Sequence, residues 1–293
     1  MCAFVVAAAE LVARARGFGN PVLYQVGPAY EYMIRPTQRL RRNQCDVYIN
    51  ALGMRSAEIS EFPGRDVTRL LCLGDSITFG GTWSTQYKTF PSVLQELLDS
   101  SGQTGKYEVL NASAPGWAPE NEIGFVRTFG TFNSHVLLLE VGTNDLFLPA
   151  SLPVAVNMPE KRPYCALQEI AVKTLWNRQQ RPQPTPSGED YWRQFEKNIV
   201  AWKEILEIAM TNGCRVGVLY VKHRGNIDPV LIDRGEESLL NFLREAGVPY
   251  ASAAKRFEEL GADHLFRDGI HPNETGNRVL AECAYELVES IKG

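Results

Sequence analysis

The chain has 293 residues, 44% of them hydrophobic and 22% charged, with a net charge of −4 and a pI near 5.7. It is long enough to bury a large core without a metal or disulfide staple. Its mild acidity excludes the basic footprint of a nucleic-acid-binding domain.

Residues 1–66 form a leader of weak periodicity. The apolar stretch Cys2 to Ala9 is broken by Glu10. It falls short of the roughly 20 residues of a membrane-spanning helix and lacks the basic start of a secretory signal. It reads as the stump of a longer anchor or as an amphipathic helix docked on the domain, so membrane association is expected only through the extreme N-terminus. The basic run Arg35, Arg39, Arg41 and Arg42 reads as a solvated face. Asp46 to Asn50 has strand character, and Gly53 gives a turn signal. The leader is expected to wrap a main domain of residues 67–293.

From Arg69 the pattern becomes regular. Leu70 to Leu73 predicts a buried strand. Pro91 to Leu98 predicts a helix with Val93, Leu94, Leu97 and Leu98 at helical spacing. Tyr107 to Leu110 is a second strand, Asn121 to Phe129 a helix, and His135 to Val141 a third strand. Residues 146–189 hold seven of the seventeen prolines and read as an irregular insertion around a short helix, Ala166 to Trp176. Ser187 and Asp190 give a capping signal before a long amphipathic helix, Tyr191 to Met210. Arg215 to Val221 is the fourth strand, Glu236 to Glu245 a helix, Val248 to Ala251 a fifth strand, and Thr275 to Ile291 the closing helix. Alternating strands and helices predict an α/β fold, a parallel sheet covered on both sides.

The six cysteines, Cys2, Cys45, Cys72, Cys165, Cys214 and Cys283, form no C-x-x-C pair, so no zinc or redox motif is present. Cys72 and Cys283 read as buried small hydrophobes. The signatures G-x-S-x-G, G-x-x-x-x-G-K-[ST] and H-E-x-x-H are also absent.

Ligands of open parallel sheets bind at the carboxyl ends of the strands. Gly74-Asp75-Ser76-Ile77-Thr78 follows the first strand and Asn111-Ala112-Ser113-Ala114-Pro115-Gly116-Trp117 the second. Gly142-Thr143-Asn144-Asp145 follows the third, and Asp268-Gly269-Ile270-His271-Pro272 precedes the last helix. A serine hydroxyl needs a base to become a nucleophile, and an imidazole needs a carboxylate to hold its tautomer. Ser76, His271 and Asp268 fill those roles, the last two being one turn of chain apart. The oxyanion of an acyl intermediate needs preorganised donors. The main-chain N–H groups of Ser76 and Gly116 and the side-chain amide of Asn144 are the candidates.

GDSIT, the glycine of NASAPGW, GTND and DGIHP, in this order, resemble the sequence blocks of SGNH (GDSL-like) hydrolases. The resemblance runs from about Thr68 to the C-terminus. It implies a flavodoxin-like three-layer α/β/α sandwich around a mostly parallel five-stranded sheet, and hydrolysis of acyl esters. The segment Val47 to Ser56, with INALGMR, is similar to a stretch upstream of this domain in bacterial members, some of them membrane-anchored. Two features depart from the pattern. Ala114-Pro115 precedes the second-block glycine, and the long insertion follows Asp145, so the resemblance does not reach the substrate.

Each of these residues also has a plainer reading. Ser76 alone would read as a helix cap. Asp75 and Thr78 read as bonding the turn around the serine, with Asp75 also at the rim of a substrate pocket. Asp145 reads as a loop-fixing acceptor. Trp117 and His223 are candidates for the pocket wall, with packing as the alternative. His135 reads as packing and His264 as a surface residue, while Trp192 and Trp202 read as core. The sequence thus predicts a serine-dependent esterase acting on a small-molecule, glycan or lipid ester, with no metal or organic cofactor. Acyl transfer to a glycan by the same residues, or a non-catalytic binding module of the same fold, are the alternatives. Compartment and oligomeric state are left open.

Overall fold

The computed structural model describes residues 2–154, 156–179, 187–223 and 227–292. The leader is more regular than its sequence indicates. It opens with helix α1 (Cys2–Ala15), followed by two antiparallel hairpins, β1 (Tyr24–Gly27) with β2 (Glu31–Ile34), and β3 (Gln38–Arg42) with β4 (Cys45–Ile49). Arg42 pairs with Cys45, so the second hairpin turns on Asn43 and Gln44 alone. Both take positive φ, 50° and 65°. That is the backbone of a two-residue turn matching the strand twist, which Asn-Gly signals more openly than Asn-Gln.

The strands and helices then alternate: β5 (Thr68–Gly74), α2 (Ser76–Phe79), α3 (Phe90–Leu98), β6 (Tyr107–Ser113), α4 (Pro119–Phe129), β7 (Val136–Gly142), α5 (Ala166–Gln179), α6 (Gly188–Thr211), β8 (Arg215–Val221), α7 (Pro229–Glu245), β9 (Tyr250–Ser252), α8 (Ala254–Glu259) and α9 (Glu274–Lys292). The five-stranded sheet runs β6-β5-β7-β8-β9, parallel throughout. Counted within the sheet this is the order 2-1-3-4-5, with its switch point between β5 and β7. Successive side chains of β5 divide between the faces. Leu70 and Cys72 pack with α3, α8 and α9, whereas Leu71 and Leu73 pack with α4, α6 and α7. The sandwich therefore has three layers. Of the expected insertion at 146–189, residues 155 and 180–186 lie outside the described residues. Helix α7 starts seven residues before its predicted start because Asp228, accepting from the Val230 N–H at 2.8 Å, caps it ahead of Pro229.

The leader shares the core of the α4/α6 side. Tyr32, Met33, Ile34, Ile49 and Met54 are buried in one cluster with Leu71, Leu73, Phe125 and Trp117. A Cβ on Gly124 of α4 would fall 1.8 Å from the Ala29 carbonyl oxygen, so only glycine lets the leader press this close. Arg55 is the tie between leader and sheet domain. Its buried guanidinium donates to the carbonyls of Phe79 (2.8 Å), Gly81 and Ser84 (2.6 Å). Burial brings its pKa down to about 10, so it keeps its charge at neutral pH.

The basic run divides by strand alternation. Arg39 and Arg41 sit on the exposed face of β3, as the solvated-face reading expects. Arg42 departs from it: the guanidinium is largely buried and pairs with Glu169 of α5 at 2.6 Å.

Candidate active site

The segments that carry the sequence motifs converge at the carboxyl ends of β5, β6 and β7. Asp75 caps α2, accepting from the Ile77 N–H at 2.7 Å. Capping therefore falls to Asp75, which leaves Ser76 as the first residue of α2 with its hydroxyl toward the sheet rim. The Ser76 Oγ lies 3.1 Å from His271 Nε2 and 3.2 Å from Asp75 Oδ2. His271 Nδ1 lies 3.0 Å and 3.1 Å from the two oxygens of Asp268. Asp268 Oδ1 also accepts from the main-chain N–H groups of Ile270 (2.9 Å) and His271 (2.8 Å). Partial burial works upward on this carboxyl, but these donors and the imidazole outweigh it and hold its pKa below the usual carboxylate range. The carboxylate thus has a fixed direction, with a hydroxyl, an imidazole and a charged acid in line.

Ser76, Gly116, Asn144 and His271 all face one cleft of about 670 Å³, together with Asp75, Arg42, Trp83 and Lys173. Gly116 has φ of +80°. A Cβ there would come 3.2 Å from the Tyr32 hydroxyl, which itself donates to the Pro115 carbonyl at 2.9 Å. Pro115 before this glycine is therefore accommodated by a tyrosine of the leader. Asn144 is set by the tight turn after β7, where Asp145 Oδ2 accepts from the Gly142 N–H at 2.8 Å and the Asp145 carbonyl receives Asn198 Nδ2 at 2.7 Å.

Two residues read from the sequence as pocket candidates do not line this cleft. Trp117 is buried, packs on Phe125 and donates from Nε1 to the Tyr32 carbonyl at 2.7 Å, so it belongs to the core. The apolar ring finds better cover between leader and α4 than at the rim. His223 is buried behind the Asn144 turn. Its main-chain N–H donates to Thr143 Oγ1 at 3.0 Å, and its Nε2 lies 3.4 Å from the Asn144 N–H. It faces a separate cavity of about 530 Å³ that reaches Asp268 from behind. Trp83 escaped the sequence reading. Its ring meets the His271 ring edge-on at 5.0 Å, and the Arg267 guanidinium lies over it at 4.7 Å. A tryptophan just beyond the glycine pair Gly80-Gly81, seven residues after the serine, was the available signal.

Beneath the serine turn lies an acidic floor. Asp75, Glu140 and Asp145 are buried, each offering an oxygen within 4.8 Å of the others, and Glu122 is buried nearby. These are the described residues that could gather round a cation. Each of the three already accepts a donor of the chain, Glu140 from Thr78 Oγ1 at 3.0 Å. Burial, and then the charge of Asp75, push Glu122, Glu140 and Asp145 well above the usual carboxylate range. They keep protons that exposed carboxyls would lose.

The model of the GDSL-like lipase/acylhydrolase family matches residues 72–279. The chain belongs to this family. No curated protein matches it. Solved structures share the fold at low identity. A catalytic mutant of Axe2, an acetylxylan esterase from Geobacillus stearothermophilus, is 12% identical with a TM-score of 0.53, over 78% of this chain and 96% of that one. LAE5, an α/β hydrolase enzyme from the metagenome of Lake Arreo, is 14% identical with a TM-score of 0.51, over 80% and 99%. The psychrotrophic esterase EstA from Pseudoalteromonas sp. is 13% identical with a TM-score of 0.50, over 76% and 97%. The family member described here thus has its five-stranded parallel sheet and flanking helices in common with esterases.

Proposed function

We propose that this protein hydrolyses acyl esters through an acyl-enzyme on Ser76. The observation that carries this reading is the unbroken line from Ser76 Oγ through the His271 ring to Asp268, with spacings of 3.1 Å and 3.0 Å, at the wall of a substrate-sized cleft.

In this reading His271 Nε2 takes the Ser76 proton as Oγ attacks the ester carbonyl carbon. The carbonyl oxygen becomes an oxyanion, met by the N–H groups of Ser76 and Gly116 and the Asn144 amide. His271 then gives the proton to the departing alcohol. Water, deprotonated by the same imidazole, attacks the acyl carbon; the acyl–Oγ bond breaks, the imidazolium returns its proton to Ser76 Oγ, and the acid leaves. Asp268 holds the Nδ1–H tautomer and stabilises the imidazolium. The bonds that Asp268 accepts from Ile270 and His271 support this role, since they keep it ionised.

The test is turnover of short p-nitrophenyl esters together with labelling of Ser76 by a fluorophosphonate. Ser76→Ala should lose about a million-fold in kcat and all labelling. A variant with full esterase activity would overturn the assignment.

A further inference from the structure

Among the described residues, α1 carries more of the exposed large apolar side chains than any other element. Phe4, Val5, Val6, Leu11 and Val12 are between 54% and 80% exposed. Among the described side chains of this helix only Ala13 is buried, and it joins neither core cluster. A helix of this length in water owes its stability to burying a face, and one that is apolar all round belongs in a core or in lipid. Yet α1 is held in a set attitude by polar bonds. The Glu10 carboxylate accepts from the N–H groups of Ala166 and Leu167 at the start of α5, at 2.9 Å and 3.0 Å. Just beyond α1, the Gly17 carbonyl receives Arg42 Nη1 at 3.1 Å. The helix is thus fixed at its base with its apolar sides uncovered. Val172 and Leu175 add exposed apolar surface on α5, the helix it packs against.

The charges around this pair run against those of the whole chain. Segments 2–20 and 156–179 carry Arg14, Arg16, Lys161, Arg162, Lys173 and Arg178 against only Glu10, Glu160 and Glu169, in a chain whose net charge is −4. Two of the three acids are engaged: Glu10 caps α5, and Glu169 pairs with Arg42 and Lys173. An apolar face with a cationic fringe is the composition of a helix lying in a membrane interface. No described helix is long and apolar enough to cross a membrane.

We propose that α1, with the outer side of α5, is a docking face for an anionic lipid surface, on which α1 lies flat with Phe4, Leu11 and Val12 in the headgroup region. Charge selects lipid over a second copy of this chain, since two such faces would bring like cationic fringes together. Lys173 of α5 and Pro21, just past α1, both line the Ser76 cleft, so docking sets the mouth of that cleft beside the membrane.

The test is co-sedimentation of the full chain with vesicles of phosphatidylcholine, with and without one-quarter phosphatidylglycerol. Binding to the anionic vesicles should exceed binding to neutral ones by about tenfold or more and fall at high salt. Leu11→Asp should abolish it without lowering the melting temperature, because Leu11 is already exposed. Arg16→Glu with Lys161→Glu should remove the preference for anionic lipid, while Ser76→Ala should bind as the wild type does. That last arm separates the docking face from the esterase reading. Failure of the wild type to pellet, or equal pelleting of Leu11→Asp, would overturn the proposal. So would a dimer in sedimentation velocity that Leu11→Asp splits, which would give the face to a second copy.

Discussion

Asp268 at the rim and Glu140 in the floor are both acids within reach of the Ser76 turn, and their surroundings drive them in opposite directions. Asp268 is half-exposed and receives two main-chain N–H groups and an imidazole, so it loses its proton readily. Glu140 is fully buried, has Thr78 as its hydrogen-bond donor, and faces Asp75 and Asp145, so it holds its proton. The number and kind of donors decide which carboxyl is a charge and which is a hydrogen-bonding strut. The rim supplies charge to an imidazole, and the floor supplies shape to a turn.

The strongest way to break this contrast is at the rim. Asp268→Asn keeps the size of the side chain but removes its charge and presents the wrong partner to Nδ1. We expect kcat on a p-nitrophenyl ester to fall by about 10⁴ with little change in KM. The equivalent exchange in the floor, Glu140→Gln, should cost less than tenfold, because a neutral group replaces a neutral group. Equal losses in the two variants would show that the contrast is false. Removing the donor to the floor, in Thr78→Val, leaves a buried oxygen unanswered. It should lower stability by about 1–3 kcal/mol in urea denaturation.

A subtler difference lies in pH. The folded chain keeps protons on Glu122, Glu140 and Asp145 that the unfolded chain releases above about pH 4. Their contribution to stability therefore declines as pH rises from there. Asp268 acts the other way: its contribution is present above the unfolded carboxylate value and is lost as pH falls through its lowered folded one. Glu140→Gln has no such proton to lose. Its melting temperature should decline less than that of the wild type between about pH 5 and pH 8. The smallest effect is expected far from both acids, at the exposed Arg127–Glu204 pair. Glu204→Ala should leave activity and melting temperature within error of the wild type.

The parts of this molecule visible in its sequence are those governed by local pattern. Buried strands such as Val136–Gly142 are apolar runs, and the Ser187–Asp190 capping pair is a short-range bond, so both could be read directly. The residues gathered around Ser76 came from short blocks whose order is itself informative. What escaped depends on distant partners. Arg42 looked like one of several surface arginines until α5 brought Glu169 to it, 127 residues away. Trp117 follows the glycine that faces the cleft, yet Tyr32, 85 residues earlier, draws its indole inward. The second leader hairpin lacked a strong turn dipeptide, and its first strand carries arginines on the outer face, which hides the alternation of Gln38 and Leu40 inward. The acidic floor was invisible because Glu140 sits mid-strand, in a run that otherwise reads as pure core.

The grip of Arg55 bears on how this protein can be dissected. Cutting the chain before residue 67, a natural choice from the family match alone, would do more than shorten it. Three carbonyls of the segment just past Ser76 would lose their shared cation, and the α4 side of the sheet would lose its cover of Tyr32, Ile34 and Ile49. The smallest unit that keeps this packing therefore begins upstream of the motifs that identify the family, and libraries or crystallisation fragments should keep the hairpins.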